Sequence, residues 1–574
     1  MQQVLVQEQS KRRFGLVDIF VLLFAFGLLS FLLTFGKDMR APFFPGQTMQ
    51  LDLNQALLPY YAGRSLVRMF LAYGLALLFT FVYARVAAYR PQARLVMLPM
   101  LDILQSIPVL GFLSVSVTGL IRLFPGSIIG PELAAIFAIF TGQAWNMTFS
   151  FYYSLSSIPK EFNEVAAMTR ISAWERFAKL EVPYGMIGLV WNSMMSFGGG
   201  WFFLAASEAI TVLGTNIRLP GLGSYMATAI TQGNMQAIYA SIFTMIGVIL
   251  LVDQLFWRPL VAWSQKYKLE QSEGEAAESW FLNLLRKSLL VGQINKLTAK
   301  QVNNAATRFR RAQVGINKSR STYRANAQRV VTWGLILGLL YVAGKYVVVG
   351  INLVLQLKGS ELLTPLGYGT LTFLRVLCST ALATLWTVPV GVAIGLNPKM
   401  ARLAQPVVQI AASFPANMIF PFVTLLYLNF QVNMGVGSIP LMMLGTQWYI
   451  LFNVIAGASA IPNDLKEASL VLGLRNLDKW KKLILPSIFP FLVTGWVTAS
   501  GGAWNASIVA EIVSWQSHSL VAPGLGSYIT LATSEGNWAK IIWGIVIMAL
   551  FVVLTNRLVW RKLYAVAQEK YSLG

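Results

Sequence analysis

Stretches of roughly 18 or more mostly apolar residues recur along the whole chain, and an apolar run of that length reads as a bilayer-spanning helix. Six fall at about 15–36, 65–88, 97–121, 131–153, 184–207 and 237–257. Six more fall at about 330–353, 368–392, 404–429, 438–459, 487–510 and 541–559. The segment between them, 259–328, is polar and basic. Within it "SWFLNLLRKSLLVGQINKLTAK" has the pattern of an amphipathic helix lying in a membrane interface. The pattern predicts an all-α polytopic membrane protein with about 12 transmembrane helices. They fall into a first unit at 1–258, a basic linker at 259–328 and a second unit at 329–574. Lys11, Arg12 and Arg13 precede the first apolar run, which is too long for a signal peptide and has no small-residue cleavage site after it. A retained first span is expected.

Composition agrees with this pattern. The 574 residues are 56% hydrophobic and 12% charged, with a mean hydropathy of +0.59. Soluble domains carry about 25% charged residues, so a large soluble core would lack polar cover. The net charge of +22 has a membrane explanation. Lys11–Arg13, Arg85, Arg90, Arg94, Lys160, Arg170, Arg176 and Lys179 fall in alternate loops of the first unit. Lys399, Arg402, Lys466, Arg475, Lys479, Lys481 and Lys482 do so in the second. The positive-inside rule then places both termini and these loops in the cytoplasm. In the linker, attraction to anionic lipid at about 1 kcal/mol per basic residue accounts for the charge without nucleic acid, and a regulator-binding surface is the alternative. Cys378 is alone, which excludes an internal disulfide, and is expected to be a small buried side chain. No cluster of His, Cys and acids forms a metal site.

The two units are copies. "PGLGSYMATAITQGN" begins at Pro220 and "PGLGSYITLATSEGN" at Pro523, an offset of 303. The same offset maps Trp145 to Trp448, Glu164 to Glu467, Pro183 to Pro486, Trp201 to Trp504 and Glu208 to Glu511. Upstream the offset is 307, mapping Arg68 to Arg375, Pro99 to Pro406 and Pro108 to Pro415. An even number of spans per unit makes the repeats parallel, related by a pseudo-two-fold axis along the membrane normal with a pathway at their interface.

One polar loop also recurs: "IPKEFNEVAAMTRISAWERFAKLEVPYG" from Ile158 and "IPNDLKEASLVLGLRNLDKWKKLILPSIFP" from Ile461. In the second, Asn463 or Asp464 is placed to cap a helix and Gly473 to end it. The element reads as a short helix lying across the cytoplasmic face, joined to the next span. "EASLVLG", then nine residues, then "LILP" resembles the EAA loop of bacterial ABC importer permeases. Glu467, Ala468, Ser469, Gly473, Leu483, Leu485 and Pro486 fill that pattern. In the first copy Glu164, Val165, Ala166 and Pro183 match in place, while Arg170 stands at the glycine position and Val182 replaces the leucine before the proline. The resemblance covers nearly the whole chain outside 259–328, and "PGLGSY" is similar to the branch importing nitrate, taurine, alkanesulfonates and related anions. It implies two six-helix permease repeats in a bacterial inner membrane. It also implies two cytoplasmic ABC ATPase subunits, same or different, and an extracytoplasmic substrate-binding protein. The chain has no G-x-x-x-x-G-K-[ST] loop, so ATP and Mg2+ belong to the partner and this chain is not expected to be an enzyme.

Polar residues inside spans are the pathway candidates: Asn192, Ser196 and Trp201 in one fifth span, Ser500, Trp504 and Asn505 in the other. Glycines 198–200 and 501–502 allow close helix packing. Arg68 and Arg375 either attract an anion at the outer ends of the second spans or snorkel. Glu208 and Glu511 either cap a gate or face water. Asp253, near the inner end of a sixth span, snorkels, pairs or lines a cavity. The reading that unites these features is a permease that forms the solute pathway between its halves and couples it to separate ATPases, for a small anion such as nitrate, a sulfonate, taurine or bicarbonate. An ion-coupled secondary transporter and a membrane scaffold are the alternatives.

Overall fold

The computed structural model describes residues 51–106, 108–169, 171–212, 215–267, 279–288 and 344–571, with a few isolated positions besides. The expected first span, most of the linker and the start of the expected seventh span lie outside the described residues. The first repeat runs α1 (Leu58–Tyr89), α2 (Pro91–Ser106), α3 (Val109–Leu123), α4 (Ile129–Ser156), α5 (Lys160–Met168), α6 (Val182–Glu208), β1 (Ala209–Val212), β2 (Thr215–Arg218), α7 (Leu222–Gln232) and α8 (Met235–Val252). In the linker, α9 (Trp280–Lys287) is capped by Ser279, whose hydroxyl accepts the Leu282 N–H, at 3.3 Å. The second repeat runs α10 (Gly359–Leu396), α11 (Pro398–Ser413), α12 (Phe420–Phe430), α13 (Met434–Ser459), α14 (Asn463–Val471), α15 (Leu485–Ala510), β3 (Ile512–Trp515), β4 (His518–Val521), α16 (Leu525–Glu535), α17 (Trp538–Thr555) and α18 (Arg561–Tyr571). The hairpins β1–β2 and β3–β4 are antiparallel.

Among the described residues, 6 helices rather than 12 are long and apolar enough to cross a membrane: Gln55–Tyr89, Met235–Tyr267, Gly359–Leu396, Met434–Ser459, Asn476–Ala510 and Trp538–Ala567. The chain is a polytopic membrane protein, and the difference has physical causes. The third span of each repeat is broken: α2 gives way to α3 at Pro108, and α11 to α12 at Pro415, both in extended backbone with ψ 116° and 112°. Proline disfavours helix in the residue before it and supplies no N–H. Helices α4 and α6 are 28 and 27 residues long but carry Glu132, Gln143 and Asn146, or Asn192, Ser193 and Glu208, on surfaces turned to protein rather than lipid.

Within each repeat, α4 packs between α1 and α6, and α13 between α10 and α15. The broken spans cross over: α3 packs on α15 and α17, while α11 packs on α6 and α8. Apolar lipid tails give little drive for such association, so close approach at small residues carries it. A Cβ on Gly198 would meet the Ser413 hydroxyl at 2.9 Å, and one on Gly199 the Tyr449 hydroxyl at 2.9 Å. Cys378, expected to be buried, is exposed on the outer surface of α10.

Wide π-helical turns occur at four places: Phe177–Glu181, Asp253–Trp257, Trp480–Ile484 and Asn556–Trp560. They form two pairs at the repeat offset, one before each fifth span and one after each sixth.

Candidate functional site

The short helices α5 and α14 match residue for residue at the repeat offset. Asn463 and Asp464 do not cap α14 through their side chains. Pro462, extended at ψ 143°, is the cap residue, and Asn463 is the first helical position. The other end follows the sequence. Gly473 sits at φ +65°, the Leu474 N–H donates to the Ser469 carbonyl at 2.9 Å, and the Gly473 N–H to that of Leu470 at 3.0 Å. This left-handed cap favours glycine. Arg170, its counterpart in the first copy, lies outside the described residues.

Ser469 and Ala166 turn inward and are buried. Glu164, Glu467 and Ala468 are exposed. Leu470, Val471, Leu472 and Leu477 are exposed at 70, 88, 73 and 72%, and Val165 and Met168 at 56 and 83%. Large apolar side chains grouped on a polar loop mark a protein contact. Pro183 and Pro486 open α6 and α15 in the first turn, where a missing N–H costs nothing, directly after the π turns. The two loops are anchored differently. Buried Glu181 lies 2.9 Å from the Arg85 guanidinium and 3.2 Å from that of Arg176. At the positions of Arg85 and Glu181 the second repeat has Val392 and Ile484, both buried.

At the opposite end, the repeated P-G-L-G-S motif cradles a carboxylate. Glu208, at the end of α6, accepts the Gly223 N–H at 2.7 Å, the Ser65 hydroxyl at 2.6 Å and the Arg68 guanidinium at 2.6 Å. Glu511, ending α15, accepts the Gly526 N–H at 2.8 Å, the Thr372 hydroxyl at 2.7 Å and Arg375 at 2.9 Å. All four charged residues are buried. Neither glutamate faces water, and the guanidinium groups of Arg68 and Arg375 are occupied by protein. The repeats differ in one balanced exchange. Glu132 pairs with both Arg64 and Arg68. Gly435 and Leu371 stand at the positions of Glu132 and Arg64, and Arg375 donates instead to the Gly435 carbonyl at 2.9 Å.

The cradle explains the motif glycines. A Cβ on Gly526 would lie 2.3 Å from the Ser507 carbonyl oxygen. Gly526→Ala is therefore expected to cost about 1–3 kcal/mol of stability, as overpacking does. Gly501→Ala, with nothing within 4 Å of its Cβ, stays within about 0.5 kcal/mol of the parent. Thermal unfolding of both purified variants checks this, and equal losses would refute the cradle.

The fifth spans meet across the repeats at a cleft of about 70 Å3. Gly198, Gly199 and Phe203 line one side, and Ser413, Tyr449, Gly502 and Asn505 the other. Of the sequence candidates only Asn505 lines it. Its carboxamide oxygen accepts the Val109 N–H at 2.7 Å, tying α15 to the start of α3. Asn192 donates to the Ser150 hydroxyl at 3.1 Å, within its own repeat. Ser196 is buried, with its hydroxyl unpartnered among the described residues. Trp201 packs edge-on against Phe197, and Trp504 packs at a tilt against Phe551. Ser500 accepts the Trp560 indole N–H at 3.2 Å.

Toward the hairpin end is a second inter-repeat cavity, of about 340 Å3, lined by Arg218, Met226, Asn417 and Thr424 among others. Arg218 is its one charged lining residue, and burial pulls its guanidinium below the ordinary arginine range. An outer-loop arginine such as Arg218 carries no sequence signal of its own. The pairing of Arg68 with Glu208 was also missed, although both members recur in the second repeat as Arg375 and Glu511.

Comparison with known proteins agrees with this duplicated architecture. A nitrate import permease from Leptolyngbya laminosa is 26% identical over 185 residues, 32% of this chain and 63% of that protein. A bicarbonate transport system permease from Synechococcus elongatus is 28% identical over 187 residues, 32% of this chain and 63% of that protein. A putative ABC transporter permease from Methanocaldococcus jannaschii is 24% identical over 252 residues, 41% of this chain and 90% of that protein. The chain thus spans just under two thirds of the length of the first two relatives. Residues 76–256 and 387–561, more than half of the chain and one block per repeat, match a single family. The chain belongs to the family of binding-protein-dependent transport system inner membrane components.

Proposed function

We propose that this chain is the transmembrane permease subunit of an ATP-driven importer, with one solute pathway between its two repeats and one ATPase docked on each of α5 and α14. The observation that carries this is the pair of short helices at matching offset, each presenting exposed apolar side chains beside an exposed glutamate, Glu164 or Glu467. Each is joined through a π turn and a first-turn proline to the fifth span that lines the inter-repeat cleft. Force applied to α5 or α14 by two closing ATPases has a short covalent route to the cleft. The ATPases bind ATP and Mg2+, and an extracytoplasmic binding protein delivers solute to the hairpin face. The setting is a bacterial inner membrane with both termini cytoplasmic.

The solute is a small anion. Arg218 supports this: among the described residues its guanidinium has no ion-pair partner and is the one charge lining the cavity at the hairpin end. Nitrate, bicarbonate and sulfonates fit such a site, and the names of the relatives favour the first two. The test is purification of the chain from its native membrane, followed by ATP hydrolysis in nanodiscs with each anion and its binding protein. A co-purifying ATPase stimulated by one anion supports the reading. Absence of any ATPase under several gentle detergents overturns it in favour of a secondary transporter.

A further inference from the structure

We propose an oxyanion site between the repeats at the α5 and α14 end, built around the sixth span of the second repeat and separate from the central cleft. A cavity of about 640 Å3 lies there between α2 and α4 of the first repeat and α15, α17 and α18 of the second. Gln105, Asn146, Arg557 and Arg561 contribute its polar groups, and among the described residues no acid lines it. Among the described residues neither arginine has an ion-pair partner. The cavity shares no lining residue with the central cleft or with the cavity of Arg218.

The other repeat shows what a closed, neutral version looks like. There Asp253 binds Arg258 at 3.0 Å, and Gln254 occupies the position of Arg557. Trp191 and Met195 stand where the second repeat has Thr494 and Thr498. Asn556 replaces Asp253 in the second repeat, so the acid is lost while a second arginine is gained. Small hydroxyl residues replace bulky apolar ones and open the volume. The hydrogen bond from Trp560 to Ser500 fixes one wall.

Two guanidinium groups beside the carboxamides of Gln105 and Asn146 suit a compact oxyanion, which accepts forked hydrogen bonds, while the Thr494 and Thr498 hydroxyls donate to carbonyls of their own helix. A phospholipid headgroup shares that chemistry. The proposed occupant is a free ion released from the pathway, and in that respect the site rests on the importer reading. An ion held here slows a return to the cleft and reports the concentration at the receiving side.

Phenylglyoxal modification of the permease–ATPase complex, read peptide by peptide, tests this. Nitrate and sulfate are compared with chloride in nanodiscs of neutral lipid and of lipid containing phosphatidylglycerol. In neutral lipid, nitrate or sulfate is expected to slow modification of Arg557 and Arg561 about tenfold, the effect of a charge-assisted hydrogen bond. Exposed Arg122, at the end of α3 away from the ATPase docking surface, serves as reference and is unchanged. Thr494→Trp, which installs the first repeat's residue, removes the protection. No protection by either ion overturns the site, and protection by phosphatidylglycerol alone assigns the arginines to lipid and overturns it equally. ATP hydrolysis in the same nanodiscs tests the importer reading separately: intact stimulation without protection refutes only this site.

Discussion

Glu132→Gly alone is expected to destabilise the protein by about 3–5 kcal/mol, because it strands buried guanidinium charge. Adding Arg64→Leu should recover most of that loss. The pair of changes rewrites the first repeat in the form the second already has, with Leu371 and Gly435 at these positions. In the parent, Arg64, Arg68, Glu132 and Glu208 form a neutral buried cluster, and Arg375 with Glu511 forms a smaller neutral one. Either is consistent with burial, but a cluster with one carboxylate removed is not. Thermal unfolding of the single and double variants in detergent provides the measurement. If the double variant is as unstable as Glu132→Gly, the balance of charge is not what permits these groups inside.

Val471→Asp is expected to reduce capture of the ATPase by at least about tenfold, a loss typical of a central interface residue. Val471 is 88% exposed, so the change leaves the core of the permease intact. Met168, its counterpart, is 83% exposed, and Met168→Asp should act on the other docking position. The two losses need not be equal, since α5 is anchored through Glu181 and α14 through Val392 and Ile484. Quantitative co-purification and the hydrolysis rate of the reconstituted complex report both effects. Unchanged capture in both variants would remove α5 and α14 from the docking surface.

Much of this architecture is legible in one sequence because duplication supplies its own comparison. The offsets of 303 and 307 locate the repeated polar loops, the prolines of the broken spans and the P-G-L-G-S motif before any contact is known. Gly473 announces its left-handed cap because few residues adopt that backbone freely. What the sequence conceals is pairing across distance. Arg68 and Glu208 are separated by 140 positions, and each alone is compatible with water, lipid or a pathway. The apolar pattern at 131–153 and 184–207 also conceals which faces of α4 and α6 turn to protein, where polar groups are tolerated that a lipid-facing surface excludes. The π turns have no clear signature in composition, because an extra residue in a helix changes spacing more than character.

Those wide turns bear on how such chains vary in length. A π turn is an α-helix that has accepted one surplus residue, with the helix on either side keeping its facing. Deleting one residue from Phe177–Glu181 or Trp480–Ile484 should therefore close the turn while leaving the loop below and the span above aimed as before. The same deletion one or two turns further into α6 or α15 would swing every subsequent side chain by about 100°, the angular step of a 3.6-residue helix. The four turns act as expansion joints, where natural insertions and deletions of a single residue can accumulate without turning a span away from its neighbours.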